Sequence, residues 1–162
     1  MTLCVLVKTG WGIGSYAYTL DQIYEQAYPG EVKVTVRPEV TTYYRQLQEA
    51  ASAGNALANQ RRVYLARHLR WCTQQTELPP TGDYVHLARV VEARRHHVWR
   101  LSHHHDQAVQ LRSLLWFPDT TSIFVVVAGD KAGTEDTWYT AAAAMAEQRI
   151  DQILREQQGD TP

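Results

Sequence analysis

Basic side chains recur on consecutive predicted strands in the second half of this sequence. Alternate residues of a strand point to opposite faces, so HHVWRLS presents His96 and Arg100 on one face when Trp99 faces the core. The same alternation in VQLRSLLWF leaves Arg112 outside the core, and Lys131 follows the apolar strand FVVVAG. We therefore expect cationic groups from three adjacent strands to converge.

Such a group of side chains suits the cleavage of a phosphodiester. Arginines stabilise the extra charge of a pentacoordinate phosphorus, while a histidine or lysine can take the proton of a 2′-hydroxyl, and this reaction requires no metal. A plainer interpretation stays open, because arginines at strand edges are mostly solvated or paired with carboxylates. His96 and His97 are equally compatible with a structural role.

Other motifs that could form a metal, phosphate or nucleotide site are less specific. The run HHHD at 103–106 invites a metal-site interpretation, but consecutive strand residues cannot all point at one ion, and no partnering Cys or His cluster occurs elsewhere. The segment GWGIGS lacks both the Lys-Ser/Thr of a phosphate loop and the third glycine of a dinucleotide fingerprint, and we interpret it as a turn. Cys4 and Cys72 are isolated thiols. We expect no metal and no cofactor.

Charge is unevenly distributed along the chain. The 162 residues include 16 Lys and Arg against 17 Asp and Glu, a net charge of −1 that gives no global signature of a nucleic-acid binder. Residues 60–112, however, contain nine arginines, four acidic residues and all seven histidines. No apolar run is long enough to span a bilayer, and the start of the sequence does not resemble a secretory signal. We therefore expect a cytoplasmic protein that makes no membrane contact.

The pattern of elements predicts an α+β fold. EVKVTVRPEV alternates like a half-buried strand, Pro38 can open a helix, and two helical stretches separated by SAGN predict a helical hairpin. Four strands follow in ARVVE, HHVWRLS, VQLRSLLWF and SIFVVVAG, and Thr134 can cap a last helix. We expect the N-terminal strand and the helical hairpin to pack on a mainly antiparallel sheet of about four strands, with one face of the sheet uncovered.

Domain boundaries and buried faces can also be predicted. Residues 1–30 are interpreted as an N-terminal extension of unknown role, with a short strand in LCVLV and a helix in TLDQIYEQAY; residues 31–157 form the main domain, and residues 158–162 form a frayed tail. The second helix is expected to bury Leu57, Tyr64, Leu65, His68 and Cys72. The last helix is expected to turn six residues to the sheet: Trp138, Ala142, Met145, Ile150, Ile153 and Leu154.

The second half of the chain resembles the RelE/ParE superfamily of bacterial type II toxins, and within it the HigB-like, phage-derived branch. The resemblance is carried by three stretches, which are ARRHHVWRLS, LRSLLWFPDTTSIFVVVAGDKAG and WYTAAAAMAEQRIDQIL. The shared features are an RHH strand, a strand with Arg before an apolar run, a φφφ-x-G-x-K strand (φ, apolar) and a closing helix that begins with WY. The likeness covers residues 31–156, with its most specific part at 94–149. It implies a small RelE-like α+β toxin.

The resemblance also implies roles for individual residues. Arg112 matches the transition-state arginine of the superfamily, Arg100 a basic position of the preceding strand, and Lys131 the basic residue after the third strand. Tyr139 matches an aromatic residue of the closing helix. His96 and His97 match the histidine pair that can supply a base, and Arg94 and Arg95 would contact RNA. Val98 and Ser102 depart from the pattern, because several relatives have lysine and arginine there.

The function implied is that of a metal-independent, ribosome-dependent mRNA endoribonuclease that inhibits translation. Its partners would be the ribosome, mRNA and a cognate antitoxin of the helix-turn-helix type. The near-neutral charge keeps an alternative open, namely a non-catalytic toxin-fold binding protein or a ParE-like gyrase inhibitor. A further alternative is that residues 1–30 cover the open sheet face or dock a partner.

Overall fold

A computed structural model describes residues 2–9, 12–19, 32–80, 86–103 and 108–159. The first two ranges form an antiparallel hairpin, in which β1 (Thr2–Thr9) pairs with β2 (Gly12–Thr19). The short strand predicted at LCVLV is confirmed. The turn predicted at GWGIGS is wrong for residues 12–15, because they form main-chain pairs with β1. The predicted helix TLDQIYEQAY lies almost wholly outside the described residues.

A five-stranded sheet forms the centre of the main domain. Its strands are β3 (Lys33–Val36), β4 (Leu87–Arg89), β5 (Val98–Ser102), β6 (Leu111–Trp116) and β7 (Ser122–Asp130). The order is β3-β7-β6-β5-β4, with β3 parallel to β7 and every other pair antiparallel. The prediction of a mainly antiparallel sheet is confirmed, with one strand more than expected.

The predicted helical hairpin is also confirmed. Helix α1 (Pro38–Ser52) begins at a proline, which needs no hydrogen-bond partner for its nitrogen in the first turn. Gly54 then takes a left-handed conformation with φ of 91°, and Asn55 caps α2 (Ala56–Thr73) by accepting from the Ala58 N–H at 2.9 Å. These two residues turn the chain back on itself within a short connection.

Helices cover both faces of the sheet. Leu111 and Leu115 of β6 pack in the core with α1 and α2, whereas Leu114, on the alternate face, packs with helix α3 (Glu135–Gln158). Our expectation of an uncovered face is therefore wrong. Small side chains on α3 permit the close contact with the sheet, and these are Ala142, Ala143 and Ala146, each at most 2% exposed.

Some local predictions are corrected by the structure. Met145 and Leu57, expected in the core, are 42% and 44% exposed because neither side chain turns toward the sheet. Thr134 precedes α3 but makes no side-chain cap, since its hydroxyl donates to the Lys131 carbonyl instead. His68 and Cys72 of α2 and Ile150 and Ile153 of α3 are buried as predicted. Within the described ranges, no helix has the length and apolarity needed to cross a membrane.

Candidate functional site

Two arginines meet where β5 ends and β6 begins. The register pairs Arg112 with Ser102 and Arg100 with Leu114, so the arginines lie on neighbouring strands two positions apart. Their alternate neighbours Leu101 and Leu111 are buried in the core under α1 and α2. Arg100 and Arg112 therefore point to the face that carries α3, as the sequence predicts.

Tyr139, in the second turn of α3, joins these arginines. Its hydroxyl oxygen accepts a hydrogen bond from Nη1 of Arg100 at 2.8 Å and another from Nε of Arg112 at 3.3 Å. The guanidinium carbon of Arg100 and Nζ of Lys131 lie 5.5 and 5.7 Å from the centroid of the tyrosine ring. All four side chains are partly exposed. We call Arg100, Arg112, Lys131 and Tyr139 the cationic cluster.

Asp130 fixes the turn that delivers Lys131 to this cluster. Its Oδ1 accepts from the N–H groups of Gln110 at 2.9 Å and Ala132 at 3.0 Å, and its Oδ2 accepts from Nε of Arg61 at 2.7 Å. Partial burial acts to raise the pKa of Asp130, but the hydrogen bonds from Ala132, Arg61 and Gln110 outweigh it and hold the pKa below 3.8. Asp130 thus anchors the turn through three hydrogen bonds.

The cationic cluster presents donors rather than acceptors. Arginine and lysine have no acceptor atom, and the Tyr139 oxygen already accepts from two arginines, which leaves its O–H proton to be donated outward. Among the residues that the structure describes, no carboxylate forms a salt bridge with Arg100, Arg112 or Lys131. Three positive charges that have no acidic partner among the described side chains favour an anion rich in acceptor oxygens, such as a phosphate group.

The predicted base residues do not join this cluster. Nε2 of His96 lies 2.7 Å from Oδ1 of Asp151, which is twelve residues beyond Tyr139 in α3. At a rise of 1.5 Å per residue, His96 and Arg100 are anchored to points about 18 Å apart on the helix. His97 is exposed and precedes β5 rather than lying in it. The placement of His96 and His97 beside Arg112 is therefore wrong. His96 shares the α3 face with Arg100 but lies near Trp116, beside the start of β5, whereas Arg112 pairs with Ser102 at the end of that strand.

Arg94 and Arg95, expected to contact RNA, lie with His96 beside the middle of α3. Arg95 donates to Glu147 at 3.3 Å and also forms an ion pair with Asp151, and these carboxylates raise its pKa. Its guanidinium thus already has two anionic partners. Arg94 is exposed and belongs to the same loop, at a distance from the cationic cluster.

Histidines that the sequence pattern did not assign to the site lie behind Arg112. His103 Nε2 accepts from the Leu111 N–H at 3.1 Å, while Arg112 donates to the carbonyl of the same residue at 2.8 Å. Tyr64 stacks on His103 with ring centroids 3.7 Å apart. The only sequence signal was the position of His103 directly after a predicted strand.

His68 lies deeper, between α2 and β6. Its Nδ1 lies 2.9 Å from Oγ of Ser113, and both residues are buried, with 4% and 0% exposure. Burial, followed by the nearby positive charge of His103, Arg112 and His86, lowers the pKa of His68 to about 3. His68 is therefore neutral at physiological pH and supports the strand that carries Arg112.

Within the described ranges, no group of three or more His, Cys, Asp or Glu residues could hold a metal ion. His103 is the one member of the HHHD run that these ranges include, and it binds the main chain of Leu111. The Cys72 thiol is buried, and burial raises its pKa to about 12, which keeps it protonated and unreactive.

Comparison of the chain with models of protein families, with curated proteins and with solved structures found no match in any of the three.

Proposed function

We propose that this protein is the toxin of a type II toxin-antitoxin system, and that it inhibits translation as a metal-independent, ribosome-dependent mRNA endoribonuclease. The observation that carries the proposal is the hydroxyl of Tyr139, which accepts from both Arg100 and Arg112 and has Lys131 beside its ring. The resemblance of residues 94–149 to RelE/ParE toxins supports it independently.

Each member of the cationic cluster has a role in this reaction. Arg112 and Arg100 stabilise the charge that develops on the phosphorane oxygens as the 2′-hydroxyl attacks the adjacent phosphorus. Tyr139 donates its proton to the leaving 5′-oxygen, because its two acceptor positions are taken by the arginines. Lys131 adds positive charge beside the ring and draws the RNA backbone to the site.

The chemistry of the cluster supports dependence on the ribosome. None of its four side chains is an acceptor in this arrangement, so none is ready to take the 2′-hydroxyl proton. We therefore assign proton removal to a group of the ribosomal complex that is brought to the bound mRNA. Free RNA is then expected to be a poor substrate, and the cytoplasm is the compartment where the target is found.

The proposal can be tested by translation of a defined mRNA in a purified system, with cleavage mapped by primer extension. Wild-type protein is expected to cut the mRNA only when ribosomes are present, and Arg112→Ala is expected to abolish cleavage. Arg45→Ala removes an exposed arginine from α1, on the opposite face of the sheet, and should leave cleavage unchanged. Equal cleavage by wild type and Arg112→Ala would count against the proposal.

A second candidate is a non-catalytic binding protein of the toxin fold, for instance one that inhibits gyrase. The separation of His96 and His97 from the arginines favours it, since the cluster then binds an anion without a base. On this alternative, translation assays show no mRNA cleavage while a gyrase assay shows trapped cleavage complexes. Loss of the trapped complexes in Arg112→Ala would then assign the cluster to target binding.

A further inference from the structure

Gly129 lies where β7 passes beneath the start of α3, opposite Arg112 in the β6–β7 register. Its φ is not positive, so the backbone conformation does not require a glycine. A Cβ at this position would instead lie 3.2 Å from Cζ2 and 3.3 Å from Nε1 of Trp138, closer than the 3.4–4 Å of ordinary contacts. Glycine at this position thus provides space for the indole.

Trp138 in turn contacts the tyrosine of the cationic cluster. The rings of Trp138 and Tyr139 meet edge to face, with centroids 5.1 Å apart and planes at 88°. Trp138 also packs in the apolar cluster between α3 and the sheet. The position of its indole therefore influences where the phenol of Tyr139 can lie.

The two hydrogen bonds of Tyr139 differ in their tolerance of movement. The bond from Arg112 is 3.3 Å long, near the upper limit for N–H···O geometry, whereas the bond from Arg100 is 2.8 Å. A methyl group at Gly129 would displace the indole by a few tenths of an ångström. A matching shift of Tyr139 away from the arginines would carry its bond to Arg112 beyond hydrogen-bond range while the shorter bond to Arg100 persists.

We propose that Gly129 and Trp138 are a positioning pair for Tyr139. The glycine admits the indole against β7, and the indole holds the phenol where its hydroxyl reaches both arginines. Neither residue touches the phosphate, and both act through Tyr139. The consequence for catalysis rests on the proposed function, because it requires Tyr139 to be the proton donor.

The experiment measures the ¹⁵N-resolved NMR signals of Nε–H of Arg112 and of the Nη–H groups of Arg100, because these are the groups that donate to Tyr139, and no ligand is needed. Tyr139→Phe gives the Arg112 signal for a broken bond, because it lacks the hydroxyl. Gly129→Ala is expected to move the Arg112 signal part of the way to this value, and Gly129→Val is expected to move it all the way. The Arg100 signal should change less. Trp116→Phe, which trims another indole in the α3 cluster, is the matched control and should leave the Arg112 signal in place.

A second substitution that restores the Arg112 signal would show that Gly129 acts by positioning Tyr139, and not by a general loss of structure. Gly129→Ala/Trp138→Phe replaces the indole with a smaller ring and is expected to return the Arg112 signal to the wild-type value. An Arg112 signal unmoved in both folded Gly129 variants, or unmoved by the second substitution, would overturn the proposal. If Gly129→Val does not fold, the Ala variant and its rescue still decide the result.

Cleavage assays on the same variants keep the two proposals distinguishable. Gly129→Val is expected to slow mRNA cleavage on the order of tenfold or more, since small misplacement of a catalytic group is costly. If the NMR shifts occur as expected but wild-type protein cleaves no mRNA, the positioning pair stands and the nuclease proposal fails. If cleavage proceeds normally while the Arg112 bond is lost, Tyr139 is not the proton donor.

Discussion

Arg100 and Tyr139 are connected in two ways, because the guanidinium donates to the phenolic oxygen at 2.8 Å and its carbon also lies 5.5 Å from the ring centroid. One contact depends on the hydroxyl and the other on the ring. Substitutions of Tyr139 can therefore separate the chemistry of the hydroxyl from the packing of the aromatic group.

Tyr139→Phe is expected to lower mRNA cleavage on the order of 100-fold, the lower end of what a positioned acid contributes. Stability should change little, because the phenyl ring keeps its contacts with Trp138 and Arg100. Tyr44→Phe is the matched control, because it removes a buried hydroxyl of α1 that has no hydrogen-bond partner among the described residues. Equal rates for wild type and Tyr139→Phe would exclude the hydroxyl as the acid.

Inorganic phosphate is expected to stabilise the folded protein by occupying the cationic cluster. A ligand at 100 times its Kd stabilises the state that binds it by about 2.7 kcal/mol, which raises the melting temperature. Arg112→Gln should lose most of this rise, and without phosphate it should melt no lower than wild type because like charges are then fewer. Calorimetry in phosphate and in chloride of equal ionic strength measures both effects. A rise of the same size in the variant would place the anion elsewhere.

His96→Gln is expected to leave mRNA cleavage unchanged, because His96 is bonded to Asp151 about 18 Å along α3 from Tyr139. Arg100→Gln, a change of similar size on the adjoining strand, should strongly reduce it. The two rates can be compared in one translation assay. Loss of cleavage in the folded His96 variant would show that His96 takes part in the reaction, and it would contradict the arrangement described for the cluster.

Alternation along strands was sufficient to predict that Arg100 and Arg112 share a face, because that geometry is local and Leu101 and Leu111 fill the other face. The same alternation correctly placed His96 on the face that carries α3, but it did not show that His96 lies beside the start of β5, whereas Arg112 pairs with the end of that strand. The role of Gly129 could not be predicted from the sequence either, because the indole that requires a glycine there belongs to α3, a separate element. Contacts between distant elements are not encoded in local periodicity.

Asp130→Asn is expected to lower the free energy of unfolding by about 1–3 kcal/mol, because an amide cannot accept from Gln110, Ala132 and Arg61 with the strength of a carboxylate. The pKa of Asp130 is lowered on folding, so this stabilisation is present above about pH 4 and is lost as pH falls through the lower folded pKa. Urea unfolding at pH 7 measures the difference.

Cleavage should also fall in Asp130→Asn, since Asp130 holds the turn that carries Lys131. Asp119→Asn is the matched control, because Asp119 likewise accepts from a nearby main-chain N–H group but lies in the loop between β6 and β7. It should cost stability without slowing cleavage. Unchanged stability in Asp130→Asn would show that the carboxylate does not anchor the turn.

His68 is expected to make stability fall as the solution becomes acidic. In the folded state its pKa is about 3, whereas in the unfolded chain it is near 6.5. Between these values the unfolded state binds one proton more than the folded state, so the free energy of unfolding decreases by up to about 1.4 kcal/mol for each pH unit lost. The cause is burial against Ser113, with His103, Arg112 and His86 adding positive charge nearby.

His68→Gln tests this prediction, because glutamine can still bond to Ser113 but does not titrate. Urea unfolding of both proteins at pH 7, 6 and 5 should give curves that diverge, with wild type losing stability faster on acidification. His97→Gln, at an exposed position, should follow the wild-type curve. Parallel curves for wild type and His68→Gln would mean that His68 takes up its proton without unfolding, and that the imidazole is less enclosed by α2 and β6 than its 4% exposure indicates.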